Sequence, residues 1–479
     1  MRVSACLMLA LSLWLGTGAR AQTQDQTTPA AASTVSEAVL TGVPAVRQVR
    51  PGVTVPGTPP ALNASITVRY GAERPRTILL LMPGYLGGAG SFDRLARQIV
   101  ALDPGVAVWA VDRRGNLLED HAALAQTGKA ELEAIVRSGL PVRPASQLGF
   151  MRDWGLDTTL RDWRVAVLEA RSITPEVYIG GHSMGASLAG LYAAYDFDGQ
   201  PGYQDVRGLV MLDGTPNLLN GKLVSTQEYR RGFWGTLGPI AGLDTIGRLP
   251  YVNTFYYSPQ RAIRGNAQAR LAQLAPREPA PDGGLTALNA TNLAAAMLQI
   301  EQRYALLPFL AVQTGKATNT QEEPNPLPRL LGAEEDTQTI VGPRISRIPI
   351  GWRSDAQAPT DAQDFVNRFW TPLSDMTEWY FPQRLTLDVS AASLDTRGTP
   401  HEAMRVWHTA SVTTPVLGIA AGEGVTKAAD YWRYGAQVLG QTTVHTLSGA
   451  AHLDIVTAKR EHVARWVLDW MARFPSARN

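Results

Sequence analysis

The chain has 479 residues, more than one average domain of about 150 residues needs, and its 45% hydrophobic and 18% charged content excludes a disordered scaffold. Lys and Arg number 44 against 42 Asp and Glu, a formal charge of +2 with no dense basic run, which argues against nucleic acid as a partner. Its one cysteine, Cys6, lies in a segment expected to be removed, so disulfides, zinc–thiolate sites and iron–sulfur clusters drop out and no cofactor is expected.

In chain order, Arg2, an apolar stretch over 6–15 and the small-x-small triplet Ala19-Arg20-Ala21 read as a secretory signal over 1–21, cleaved after Ala21. Export to the periplasm or beyond is the expectation. The stretch is shorter than the roughly 18 residues a bilayer span needs, and no later segment is long or apolar enough. Residues 22–62, rich in Thr, Ala, Gln and Pro and crowded at the end by Pro51, Pro56, Pro59 and Pro60, read as a tether or surface arm.

From 63 to 213 strand and helix patterns take turns. Residues 65–70 alternate like a half-buried strand, and 77–82 form a continuous aliphatic run that ends in Pro83-Gly84-Tyr85 and a glycine-rich loop. A helical face over 91–101, a strand over 106–111, a helix over 157–170, a strand over 177–179, a small-residue helix over 184–194 and a strand over 209–212 follow. Such alternation predicts a parallel sheet with right-handed crossovers. The rhythm fails over 214–400, where prolines, a helical patch over 293–307 and a polar loop over 318–325 stand. It resumes over 401–479 with a strand at 416–420, a helix near 427–439, a strand at 443–447 and a terminal amphipathic helix ending near Phe474. Because early and late strands belong to one sheet, 214–400 is read as an inserted cap between two parts of one core.

The sharpest signal is Gly181-His182-Ser183-Met184-Gly185, set after an apolar strand and before a helix. A serine in a tight strand-to-helix turn is raised above the sheet, and flanking glycines avoid clashes with neighbouring backbone. The new helix places free N–H groups beside its hydroxyl. Ser183 is therefore read as a nucleophile.

On these residues, together with the Pro83-Gly84-Tyr85 turn, the 111–116 turn around Asp112-Arg113-Arg114-Gly115 and the late Thr414-Pro415-Val416-Leu417 strand, the chain resembles the α/β-hydrolase superfamily of serine esterases, lipases and related enzymes over about 65–213 and 412–475. The resemblance implies an eight-stranded, mostly parallel sheet and a Ser, acid, His triad in that chain order. Of the seven histidines, His121 precedes the nucleophile, His182 is its neighbour and is expected to point away, His401 and His408 precede the late strand, His445 lies within a strand and His462 on the terminal helix. His452, in the loop after the last strand, stands where members of the superfamily carry the general base. Two acids fit the orienting role: Glu423, in the loop after the late strand, and Asp213, at the end of the strand before the cap. The superfamily commonly has an aspartate at about Gly424 or Val425; the longer side chain of Glu423 makes up the reach, and the reading leans to Glu423. Asp430 and Asp454 are read as solvated charges. The backbone N–H groups of Met184 and Tyr85 are the expected oxyanion donors.

Aromatic residues of the cap, from Phe233 to Phe381, are expected mostly to form its own core and in part to line the opening above Ser183. The expected substrate is therefore a small-molecule or lipid-like carboxylic ester with an apolar acyl or alcohol group. A peptidase or acyltransferase with the same triad and a catalytically silent binding module are the rival readings; a dehalogenase would need aspartate where Ser183 stands. No phosphate loop, zinc helix or calcium loop is present, and the acidic run Glu334-Glu335-Asp336 is read as a solvated loop.

Overall fold

The computed structural model describes residues 35–216, 223–235, 238–254, 256–330 and 336–474, and the backbone of 23–24. The segment read as a signal, with Cys6, and Glu334 and Glu335 lie outside the described residues. Eight strands form the central sheet: β1 (Ala45–Pro51), β2 (Ala64–Tyr70), β3 (Thr77–Met82), β4 (Val106–Asp112), β5 (Val177–His182), β6 (Leu209–Leu212), β7 (Val416–Ala421) and β8 (Thr442–Leu447). Their order across the sheet is β1-β2-β4-β3-β5-β6-β7-β8, and Thr23–Gln24 adds a short parallel strand beyond β8. Strands β3 to β8 run parallel, while β2 is antiparallel to both β1 and β4. With helices on both faces and an insertion between β6 and β7, this is the α/β-hydrolase fold.

The strands read as continuous apolar runs are buried on both faces, as parallel strands covered by helices must be. Helices α1 (Asp93–Leu102), α2 (Lys129–Ser138), α3 (Leu156–Ile173), α4 (Met184–Ala194), α5 (Pro259–Leu274), α6 (Ala362–Phe369), α7 (Gln383–Ala391), α8 (Ala428–Gly435) and α9 (His462–Arg473) complete the frame. On one face Leu160 and Trp163 of α3 and Leu188 of α4 pack over Leu80 and Trp109. On the other, Leu95 and Ile99 of α1 and Val467 and Trp470 of α9 cover Leu79 and Leu81. Each such large apolar side chain, fully buried, contributes on the order of 1.5–3 kcal/mol.

Three expectations are corrected. Within the stretch read as an arm, Ala45–Pro51 is an edge strand of the sheet, paired along its length with β2; Arg47, Gln48 and Arg50 give it the polar look of a tether because an edge strand need not be buried. The polar loop expected over 318–325 is instead the strand Thr320–Asn325, hairpinned with Thr337–Pro343. The helical patch of 293–307 shrinks to Asn292–Met297. The rest of the cap is built around α5, α6 and α7, with α5 against α6 and against α2 of the core. Among the described residues no helix is long and apolar enough to cross a membrane.

Candidate active site

Ser183 joins β5 to α4 with φ 57° and ψ −123°, backbone values that a side chain strains to hold. Its N–H donates to Leu212 O at 2.9 Å, fixing the turn to β6. A side chain on Gly185 would collide with the carbonyl oxygen of Met82, and one on Gly214 with the backbone of Ser183 itself. We therefore expect Gly185→Ala to destabilise the fold by about 3 kcal/mol or more, read from its urea midpoint, because backbone on both sides has nowhere to move. Ser183 O accepts Ala186 N–H and Ser187 N–H, so the N–H of Met184 is among the first helix donors without an intrahelical acceptor.

The loop after β8 carries His452, buried, with Nδ1 2.6 Å from Oδ2 of Asp213. Asp213 closes β6, is fully buried and has φ 41°. Besides the imidazole N–H, its carboxylate accepts three backbone N–H groups: Ala421 at 3.2 Å, Val425 at 3.0 Å and Thr426 at 3.1 Å. Four donors on one buried carboxylate compensate its lost hydration. A Cβ on Gly424 would run into that carboxylate. The bare position in the late loop is thus the space that Asp213 fills.

Glu423 is exposed, and its Oε2 accepts Gln302 Nε2–H at 3.0 Å and Gln313 Nε2–H at 2.9 Å. The sequence reading leaned to Glu423; the structure places His452 against Asp213 instead, because β6 neighbours β7 and delivers Asp213 under the late loop. Tyr431 braces this corner, donating to Ile419 O at 3.0 Å and accepting Gly214 N–H at 3.1 Å.

Sequence reasoning missed three supports. His182 does not simply point away: its Nε2–H donates to His452 O at 3.0 Å, and the two rings lie 4.2 Å apart. Burial, and then the neighbouring His452, hold the His182 imidazole well below its ordinary range, which keeps it neutral. Asp454 is not a solvated charge but fully buried, accepting Ala451 N–H at 2.8 Å, Gln313 N–H at 3.2 Å and Thr360 Oγ1–H at 2.7 Å. It ties the cap to the His452 loop. Burial pushes its carboxyl up to about 7. The folded value lies above the unfolded one of about 3.9, so this group's relative contribution is fully present below about pH 4 and is lost as pH rises through 7, with a slope of at most about 1.4 kcal/mol per pH unit. Urea midpoints between pH 4 and 7 should fall less steeply in Asp454→Asn than in the wild type.

The third support is Arg113, at the turn after β4, which bonds the loop that follows β3. In that loop an added Cβ on Gly84 would stand 2.9 Å from Ser183 Cβ, so only glycine permits the approach. Next to it, the Tyr85 ring meets Phe381 edge-on at 5.2 Å, and its hydroxyl lies 3.3 Å from that of Tyr256. Of the cap aromatics, Tyr257, Trp370, Trp379, Tyr380 and Phe381 are buried in the main core cluster, whereas Trp234 is exposed.

Among the described residues one group offers metal-ligand atoms within 4.8 Å of one another: Glu119, His121 and Asp375. Those atoms are already engaged. His121 Nε2 lies 2.9 Å from Glu119 Oε2, and Asp375 Oδ2 accepts Asn266 Nδ2–H at 2.5 Å and Trp379 Nε1–H at 3.1 Å. The group pins the cap to the turn after β4.

No family model matches the chain, and no curated protein matches it. Solved structures similar to it include a Sulfolobus solfataricus protein provisionally named a lipase, 15% identical, with 90% of this chain and 93% of that one covered and a TM-score of 0.49. An epoxide hydrolase from an endophytic Streptomyces is 17% identical, with 89% and 95% covered and a TM-score of 0.41. A soluble variant of monoglyceride lipase from Saccharomyces cerevisiae is 12% identical, with 90% and 100% covered and a TM-score of 0.36. Likeness at this level says nothing of activity, which has to be read from the site itself.

Proposed function

We propose that the protein is an exported serine hydrolase that cleaves carboxylic esters with an apolar acyl or alcohol group through an acyl-serine intermediate. One observation carries the reading: the 2.6 Å bond between His452 Nδ1 and Asp213 Oδ2, at the same end of the sheet as the strained Ser183 turn. A serine hydroxyl is a weak nucleophile near neutral pH and needs a base of this kind.

In this reading Asp213 holds the proton on Nδ1, which leaves Nε2 of His452 as the acceptor. As Ser183 Oγ attacks the ester carbonyl, Nε2 takes the hydroxyl proton; the carbonyl π pair moves to oxygen, where the N–H groups of Met184 and Tyr85 receive it. Collapse expels the alcohol with the proton from Nε2, leaving the acyl-serine. Water then attacks in the same manner and frees the acid. Neutral His182, bonded to His452 O, adds no competing positive charge beside the imidazole.

The test is labelling of the purified mature protein with a fluorophosphonate, followed by peptide mapping. A label on Ser183, lost in Ser183→Ala and strongly reduced in His452→Ala, is the expected result. A wild-type protein that takes no label, or carries it elsewhere, would refute the assignment.

A further inference from the structure

We infer that Arg113 is a positioning residue that aims the Tyr85 N–H at the reacting carbonyl oxygen, and that the cap completes the setting through Glu378. The inference rests on the proposed role of Tyr85 as an oxyanion donor.

The loop after β3 has little rigidity of its own. It contains Gly84, Gly87, Gly88 and Gly90, and Leu86 stands at φ 61°. On the side facing β4 it is held by one guanidinium, itself almost wholly buried. Arg113 Nη1 donates to Pro83 O at 3.2 Å, and Nη2 donates to Gly84 O at 2.9 Å and to Gly87 O at 2.5 Å. The Gly84 carbonyl and the Tyr85 N–H belong to one planar trans peptide and point in opposite directions. Holding the carbonyl oxygen therefore sets the line along which the N–H points. A cationic donor on that oxygen also polarises the amide and strengthens its N–H as a donor.

The guanidinium is held in turn by the cap. Its Nε donates to Glu378 Oε2 at 2.8 Å, and it lies 4.7 Å from the Phe381 ring. The backbone beside Glu378 then grips the other side of the loop: Glu378 N–H donates to Leu86 O at 2.9 Å, Gly88 N–H to Met376 O at 3.0 Å and Gly90 N–H to Asp375 O at 3.0 Å. Added side chains on Gly88 or Gly90 would meet the Asp375 backbone. Arg113 and the cap segment 375–378 hold the loop from two sides. The fork is specific to arginine: a lysine ammonium is a point charge that cannot reproduce three planar contacts and a salt bridge from one group.

The experiment compares Arg113→Lys and Glu378→Gln with the wild type for kcat, KM and inhibition by a trifluoromethyl ketone with an apolar chain, whose serine adduct carries an oxyanion. Arg113→Lys should lower kcat by about 10- to 100-fold, somewhat less than deletion of an oxyanion donor. KM should change by less than about threefold, and ketone affinity should fall by the same factor as kcat. Glu378→Gln should move both quantities together by a smaller factor. A folded Arg113→Lys with kcat and ketone affinity unchanged would overturn the inference, as would a fall in kcat that leaves ketone affinity intact. If Arg113→Lys does not fold, Glu378→Gln decides by the same criterion. Fluorophosphonate labelling of the wild type separates the two levels: without a label on Ser183 the hydrolase reading itself fails, whereas a labelled wild type beside indifferent variants sinks only the role of Arg113.

Discussion

Ser183→Ala should reduce ester turnover by about a million-fold, and the double variant Ser183→Ala/His452→Ala should be hardly worse than either single one. The two residues perform one act, transfer of a proton as the C–O bond forms, so removing either removes the whole. What remains is the background from the two backbone donors and from substrate binding, on the order of a thousandfold over water. Backbone strain at Ser183, with φ 57° and ψ −123°, adds a second readout. The fold holds that strain at a cost of order 1–3 kcal/mol, so Ser183→Gly should be inactive and yet unfold at a higher temperature than the wild type. An active Ser183→Ala, measured by stopped-flow or chromogenic ester hydrolysis, would end the hydrolase reading. A Ser183→Gly less stable than the wild type would show that the turn is not strained.

The parts of this site that sequence made legible are those with local signatures. A strand, a Gly-x-Ser-x-Gly turn and a small-residue helix sit within one stretch of chain, so Ser183 could be proposed as nucleophile from its neighbours alone. His452 was proposed as the base from its place after the last strand, where the resemblance to the α/β-hydrolase superfamily puts it. The choice between the two candidate acids was not legible in the same way: Asp213 and His452 are 239 residues apart, and their meeting depends on the registry of β6 with β7 and on the space that Gly424 leaves empty. Arg113 and Glu378, 265 residues apart, show even less in one dimension. The edge strand Ala45–Pro51 was hidden by its own exposure, since half-exposed polar positions carry no hydrophobic period. Asp454 was misread for the opposite reason: an aspartate looks solvated in sequence, and only the packing of Gln313 and Thr360 over it shows otherwise.

These long-range contacts also bear on the cap. It supplies Glu378 to Arg113, backbone to the loop after β3, and Gln313 and Thr360 to the His452 loop through Asp454. In the proposed mechanism these elements hold both the loop of the oxyanion donor and the loop of the base, and substitutions in them should change kcat without touching substrate.

The choice between acids gives the second large effect. Asp213→Asn should lower kcat by about ten-thousand-fold while leaving KM within a few-fold, because an amide facing Nδ1 favours the wrong imidazole tautomer and withdraws the charge that steadies the imidazolium. The same change turns an amide N–H₂ toward donors: the carboxylate accepts Ala421, Val425 and Thr426 N–H groups as well as His452, and an asparagine can satisfy only part of that set. A stability loss of about 1–3 kcal/mol should therefore accompany the kinetic one. Glu423→Gln should leave kcat within about twofold, since an exposed side chain bonded to two glutamine amides contributes little. Steady-state kinetics on one ester, with unfolding curves to confirm that both variants are folded at assay temperature, decide the matter. A large loss in Glu423→Gln beside a small one in Asp213→Asn would return the role to the late loop, and small losses in both would mean that neither carboxylate orients His452 in solution.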